Sequence, residues 1–136
     1  MRFPFPTGCC IMESYRNYPH CCAKTEESFM AITLVPACDH IRETGELFKE
    51  YTDMLIAGDS SFQQYLELQH YDQELKHPQD KYGLPCGRLY LAYCDEIPAG
   101  CIGLRKIDDL CCEMKRLYVR PAFRGRQIGT LLVRQS

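Results

Sequence analysis

The spacing of hydrophobic positions changes character along this chain, and each change marks an expected element. Residues 1 to 29 mix aromatics, prolines, cysteines and polar residues with no repeat of two or of 3.6, which predicts weak order. Met30 then opens AITLVPA, a short β-prone segment, and this leaves room for the leader to be an extension upstream of the natural start. Asp39 is a candidate helix cap. Behind it Ile41, Leu47, Phe48, Tyr51, Met54 and Leu55 fall on one stripe, so a helix is expected to end near Gly58. A second helix is expected from Ser60 or Ser61, with Phe62, Tyr65, Leu66, Tyr71 and Leu75 at helical spacing, until His77-Pro78 stops it. Pro78 to Pro85 is polar and turn-rich and reads as a loop. Tyr71 and Tyr82 suit packing and ligand contact equally.

From Gly87 the pattern becomes that of strands. Arg88 to Cys94, a turn at Asp95 to Pro98, and Ala99 to Ile107 form an expected hairpin. Asp108-Asp109 makes the next turn, and Cys111 to Val119 is a third strand that Pro121 ends, because proline cannot donate to a ladder. A turn and the start of a helix remain. The order β, α, α, antiparallel meander, helix predicts one α+β layered domain over residues 30–136, a mostly antiparallel sheet flanked by helices.

Composition narrows this picture. A chain of 136 residues with 46% hydrophobic and 25% charged residues suits one globular domain. A formal charge of -2 and a pI of about 6.1 argue against a dedicated nucleic-acid binder. The 10 Cys would suggest a disulfide framework in a secreted protein, yet the N-terminal segment has no sustained apolar stretch. No run of about 18 apolar residues could span a bilayer. The expectation is a soluble cytoplasmic protein with free thiols, no membrane partner and no metal. The pairs Cys9-Cys10, Cys21-Cys22 and Cys111-Cys112 lack the gap of a zinc knuckle, and His20 beside Cys21 is the weak exception.

Charge is uneven along the chain, which changes the picture more. After Glu113 there is no acidic residue, while Lys115, Arg116, Arg120, Arg124, Arg126 and Arg134 concentrate positive charge at the C-terminal end. That asymmetry predicts an anionic ligand. FRGRQIGTLL, from Phe123, supplies a place for it: Gly125 and Gly129 let the main chain turn and approach a ligand, Arg124 and Arg126 supply charge, and a helix start offers unpaired N–H groups to phosphate.

The run CEMKRLYVRPAFRGRQIGTLLV from Cys112 resembles the central motif of the GNAT superfamily of acyl-CoA N-acetyltransferases. In that motif a strand precedes Arg or Gln, two residues, Gly, one residue, and Gly or Ala. Arg124, Ile128 and Gly129 match it, as does Gly125 in the common form, and the resemblance extends over residues 30 to 136. It implies a GNAT-like fold with acetyl-CoA as co-substrate and an amine as acceptor. A bulge on the family's fourth strand would pair Leu117, Tyr118 and Val119 with the pantetheine arm, and backbone N–H groups of Gly125, Arg126, Gln127, Ile128, Gly129 and Thr130 would meet the pyrophosphate. Glu113 stands where several members carry the carboxylate that takes the amine's proton; the competing reading pairs it with Lys115 or Arg88, or turns it to water. The acceptor would be read by roughly Leu55 to Tyr82.

Two departures from the family follow. Gln127 occupies the usual second Gly of the turn, so its side chain competes for the space of the phosphates. Ser136 falls inside the helix after the turn, so the family's C-terminal half, including its fifth strand, is missing from this sequence. The expectation divides accordingly: a fragment of a longer acetyltransferase, a chain completed by a partner, or a non-catalytic CoA-binding module dimerising through the open sheet edge.

Overall fold

The computed structural model describes residues 2–4 and 30–136. The expectations of weak order in the leader and of a metal pair at His20-Cys21 therefore fall outside the described residues, except for one three-residue strand.

That strand is β1 (Arg2–Pro4), and the others are β2 (Ile32–Pro36), β3 (Gly87–Cys94), β4 (Ile97–Lys106) and β5 (Cys111–Val119). They form one antiparallel sheet in the order β1-β5-β4-β3-β2. The meander arises as the sequence suggests. Asp95 and Glu96 both take positive φ, 48° and 68°, in the tight β3–β4 turn, the form whose twist matches paired strands. At the β4–β5 turn Asp108 Oδ1 accepts from the backbone N–H of Leu110 and Cys111, both at 2.8 Å.

Helices cover both faces. On one, α1 (Ile41–Gly58) and the short α4 (Pro78–Tyr82) enclose a core of Ala37, Leu47, Phe48, Tyr82, Leu89, Leu91, Cys101 and Tyr118. On the other, α5 (Ile128–Gln135) buries Ile128 and Leu132 against Ala92, Cys94, Ala99 and Ile102. Burial of such side chains, at roughly 1.5–3 kcal/mol each, joins the layers.

The helical layer departs from expectation in four places. Asp39 does not cap α1: His40 is the N-cap, without a side-chain cap bond. The buried stripe of α1 is Thr44, Leu47, Phe48 and Thr52, while Ile41 and Met54 are 42% and 44% exposed. Two threonines take the inner positions because i, i+3, i+4 and i+8 share one helix face, and Thr52 Oγ1 donates to Phe48 O at 3.0 Å. The expected second helix is broken into α2 (Phe62–Leu68) and α3 (Tyr71–Lys76), with His70 at φ 55° between them. The break redirects Tyr71 and Glu74 toward α1 and β5.

Finally, the expected loop contains α4, which Pro78 can open because the first helical residue needs no N–H partner. Tyr82 at its end is fully buried, with its ring over Gly103, where an added Cβ would lie 2.7 Å from Tyr82 Cε1. No helix of the described residues is long and apolar enough to cross a membrane.

Candidate active site

β5 carries the candidate site, and its ladder with β4 is irregular where the resemblance implies a bulge. Cys101 pairs with Tyr118 and Gly103 with Lys115, so Ile102 faces two residues, Arg116 and Leu117. Arg116 is the bulged residue, at φ 57°, a left-handed conformation that a side chain disfavours. The other edge of β5 is paired with β1 over Cys111, Cys112 and Glu113 alone. From Met114 onward that edge has no strand partner among the described residues.

A cleft of about 340 Å³ lies beside the bulge, lined by Tyr51, Phe62, Tyr65, Gln69, Glu113, Met114, Lys115, Arg116 and Leu117. Glu113 faces Arg105 Nη2 at 3.2 Å and Lys115 Nζ at 3.6 Å. Arg105, its cross-strand register partner, takes the place expected for Arg88. Lys115 Nζ also donates to Gln69 Oε1 at 3.2 Å. Burial holds the Lys115 ammonium below its ordinary range against the opposing pull of Glu113.

Beneath the bulge sits a charged cluster that the sequence reading did not identify. Arg116 donates to Glu74 through Nε to Oε1 at 2.7 Å and Nη2 to Oε2 at 3.1 Å. Glu74 also accepts from Tyr82 Oη at 2.8 Å and Lys81 Nζ at 2.6 Å. The Arg116 guanidinium lies 5.2 Å from the Tyr71 ring centroid. Burial alone would push the Glu74 carboxyl up, yet Arg116, Lys81 and Tyr82 bring it down to about 2. One signal was available: in CCEMKRLYV, Arg116 shares its phase with Tyr118, and both are buried.

At the far end of β5, Arg120 clasps Glu50 of α1, with Nη2 to Oε1 at 2.6 Å and Nε to Oε2 at 3.0 Å, and donates to Pro98 O at 2.7 Å. Tyr118 turns its side chain into the core beside Tyr51, and its hydroxyl donates to Glu50 at 3.4 Å. Any contact it makes along the open edge is therefore by backbone.

The glycine turn follows a 3-10 turn at Pro121–Phe123. Gly125 takes φ 81° and Gln127 φ 60°. The first helical bond of α5 runs from Leu131 N to Gln127 O at 3.0 Å, which leaves the amides of Ile128, Gly129 and Thr130 ahead of the ladder. They adjoin a hollow of about 320 Å³ lined by Val119, Phe123, Arg124, Gly125, Gln127, Ile128, Gly129 and Thr130.

Arg124 Nε donates to Val119 O at 3.1 Å. Arg126 turns away from the hollow, its guanidinium against Met30 Sδ. Phe123 is the lining residue not expected from sequence. The first turn of α5 carries no acidic residue to repel an anion.

A larger hollow of about 620 Å³, among α1, α2 and α3, includes no residue of β5 or of the turn. Its size exceeds that of the other two, but it lacks their convergence of unpaired backbone and charge. Among the described residues no group of three or more His, Cys, Asp or Glu is placed to hold a metal ion.

Comparison with known proteins agrees with this geometry. Residues 46–136 match the model of the acetyltransferase (GNAT) family. An uncharacterized N-acetyltransferase of Schizosaccharomyces pombe is 44% identical over 72 residues, covering 52% of this chain and 44% of that protein. Another, of Dictyostelium discoideum, is 29% identical over 165 residues, covering 76% of this chain and 73% of its own. The chain thus spans less than half the length of the yeast protein it matches. PaiA N-acetyltransferase from Thermoplasma acidophilum, in complex with coenzyme A, shares the fold at a TM-score of 0.56 and 20% identity, over 78% of this chain and 69% of its own. A GNAT-family acetyltransferase of Staphylococcus aureus Mu50 gives 0.54 and 23%, over 77% and 62%.

Proposed function

The chain belongs to the acetyltransferase (GNAT) family, and from that premise we propose that it binds acetyl-CoA along β5 and the glycine turn and serves acetyl transfer to a primary amine. The observation that carries this reading is the hollow at the turn. Gly125, Gln127, Ile128, Gly129 and Thr130 line it together, with open amides at a helix start and no carboxylate among the described residues that line it. Backbone N–H groups suit phosphate there, and the chain's residues fit the coenzyme.

Acetyl-CoA supplies the activated acyl carbon. The protein's share is to hold and orient it and to move a proton. Leu117 to Val119 present the main chain along the pantetheine arm, beside the open edge. The amine enters the aromatic cleft between α1, α2 and β5. Glu113 takes the ammonium proton directly or through water, the neutral nitrogen attacks the thioester carbonyl, and the C–S bond breaks to give the amide and the coenzyme A thiolate, which takes up a proton from solvent. Arg105 and Lys115 beside Glu113 compensate its charge when no amine is present.

The edge of β5 from Met114, unpartnered among the described residues, supports a second reading, a CoA-binding module without turnover that pairs through this edge. The two separate in one assay. Thiol release from acetyl-CoA is measured with a panel of small amines and a lysine peptide, on the wild type and on Glu113→Gln. Acyl transfer predicts amine-dependent release that Glu113→Gln lowers by about a hundredfold. Coenzyme binding without release from any amine, in this chain and in one extended to the length of its relatives, contradicts transfer and leaves the module.

A further inference from the structure

The mechanism above uses the backbone of β5 after the bulge and leaves the buried cluster beneath it unused. Two facts single the cluster out. Arg116 is the residue whose own backbone forms the bulge, and its side chain and Glu74 are 6% and 2% exposed. Its carbonyl also accepts from the buried Cys101 thiol at 3.3 Å. A left-handed backbone at a residue with a long side chain persists only when its surroundings enforce it. Here a two-pronged bond to α3 and the ring of Tyr71 do so. A buried ion pair is a poor source of stability, because apolar replacements often serve as well. What it does supply is one fixed geometry.

We propose that Arg116 and Glu74 are positioning residues for acyl transfer: the pair fixes the bulge so that the main chain of Leu117 to Val119 lies where the coenzyme's arm is received, and neither side chain touches the substrates. The inference rests on the reading that the coenzyme lies along these residues. Lys81 and Tyr82 complete the carboxylate's shell and keep Glu74 aimed at Arg116 rather than at water. The break between α2 and α3 at His70 is part of the same device, since it brings Glu74 under the bulge.

The test separates positioning from stability. Coenzyme A affinity by calorimetry and melting temperature are measured on the full chain for wild type, Arg116→Met, Glu74→Gln and the double variant. Glu74→Gln strands the buried Arg116 and melts early, Arg116→Met leaves Glu74 with Lys81 and Tyr82 and costs less, and the double variant regains most of the melting temperature that Glu74→Gln loses. Positioning predicts that its coenzyme A affinity nevertheless stays about tenfold weak. Wild-type affinity at regained stability overturns the proposal.

Should the double variant not fold, Arg116→Lys keeps the charge without the two-pronged contact; affinity weakened in a folded Arg116→Lys supports the pair, and unchanged affinity overturns it. A wild type that binds no coenzyme A overturns the coenzyme reading itself. Binding unaffected in every folded variant overturns this inference alone.

Discussion

The two ends of the proposed coenzyme track hold their shape by opposite means. At the bulge the left-handed residue is Arg116, buried, and its guanidinium is held by two bonds to Glu74 and by the ring of Tyr71. At the turn the left-handed residues are Gly125 and Gln127, both exposed, and an added Cβ at Gly125 would meet nothing within 4 Å. One end is fixed by charge removed from water; at the other, Gly125 takes a conformation that glycine accepts freely and Gln127 is held against its own preference at the start of α5. The same local conformation can therefore be costly to disturb in one place and cheap in the other.

That contrast sets the scale of the expected effects. The largest follows from Glu74→Ala, which leaves Arg116 buried and unpaired. Urea unfolding should show a loss of about 3–5 kcal/mol, and a loss no larger than that of a surface pair would mean the bulge is not held by charge. Acid should act on the same pair. The Glu74 carboxyl titrates at about 2 in the folded chain against an ordinary 4.5, so its folded-state value is depressed. Its contribution is complete above 4.5 and drains as pH falls toward 2. Stability measured down that window should fall more steeply for the wild type than for the double variant Glu74→Gln with Arg116→Met.

At the turn the effects are smaller. Gly125→Ala should cost about 1–2 kcal/mol through φ alone, since the space around it is empty. Gln127→Gly should go the other way, gaining up to about 1 kcal/mol by relieving φ 60°, and should tighten coenzyme A by removing a side chain from the hollow. Equal affinity by calorimetry would refute the crowding argument. The smallest effect is expected at Arg42→Ala, whose pair with Glu46 lies on a side chain 88% exposed; it should stay below about 0.5 kcal/mol.

The same contrast explains what could be read from the sequence. The turn is legible because glycines at fixed spacing after a strand and a proline report backbone geometry locally. The strands Gly87–Cys94 and Cys111–Val119 fall within one residue of expectation for a similar reason, bounded as they are by Asp, Gly and Pro. The charged cluster is not local: Glu74 and Arg116 lie 42 positions apart, and only the inward phase of Arg116 in its strand hints that it needs a partner.

The break at His70 has the same origin. Helical spacing continues through it, and tertiary pull on Tyr71 and Glu74 overrides that spacing. The inner threonines of α1 were hidden because hydropathy ranked Ile41 and Met54 above them, though face geometry favours Thr44 and Thr52. At Glu113 the sequence left base and ion pair open. The structure shows the ion pair with Arg105 and Lys115, beside the cleft where a base would act.

Whether the coenzyme lies on these two regions is most directly decided by titrating the isotope-labelled chain with coenzyme A and following its backbone amide resonances. Saturable shifts concentrated at Gly125 to Thr130, extending to Leu117 to Val119, are the predicted result. Shifts confined to the hollow among α1, α2 and α3, with the amides of the turn unmoved, would contradict the assignment.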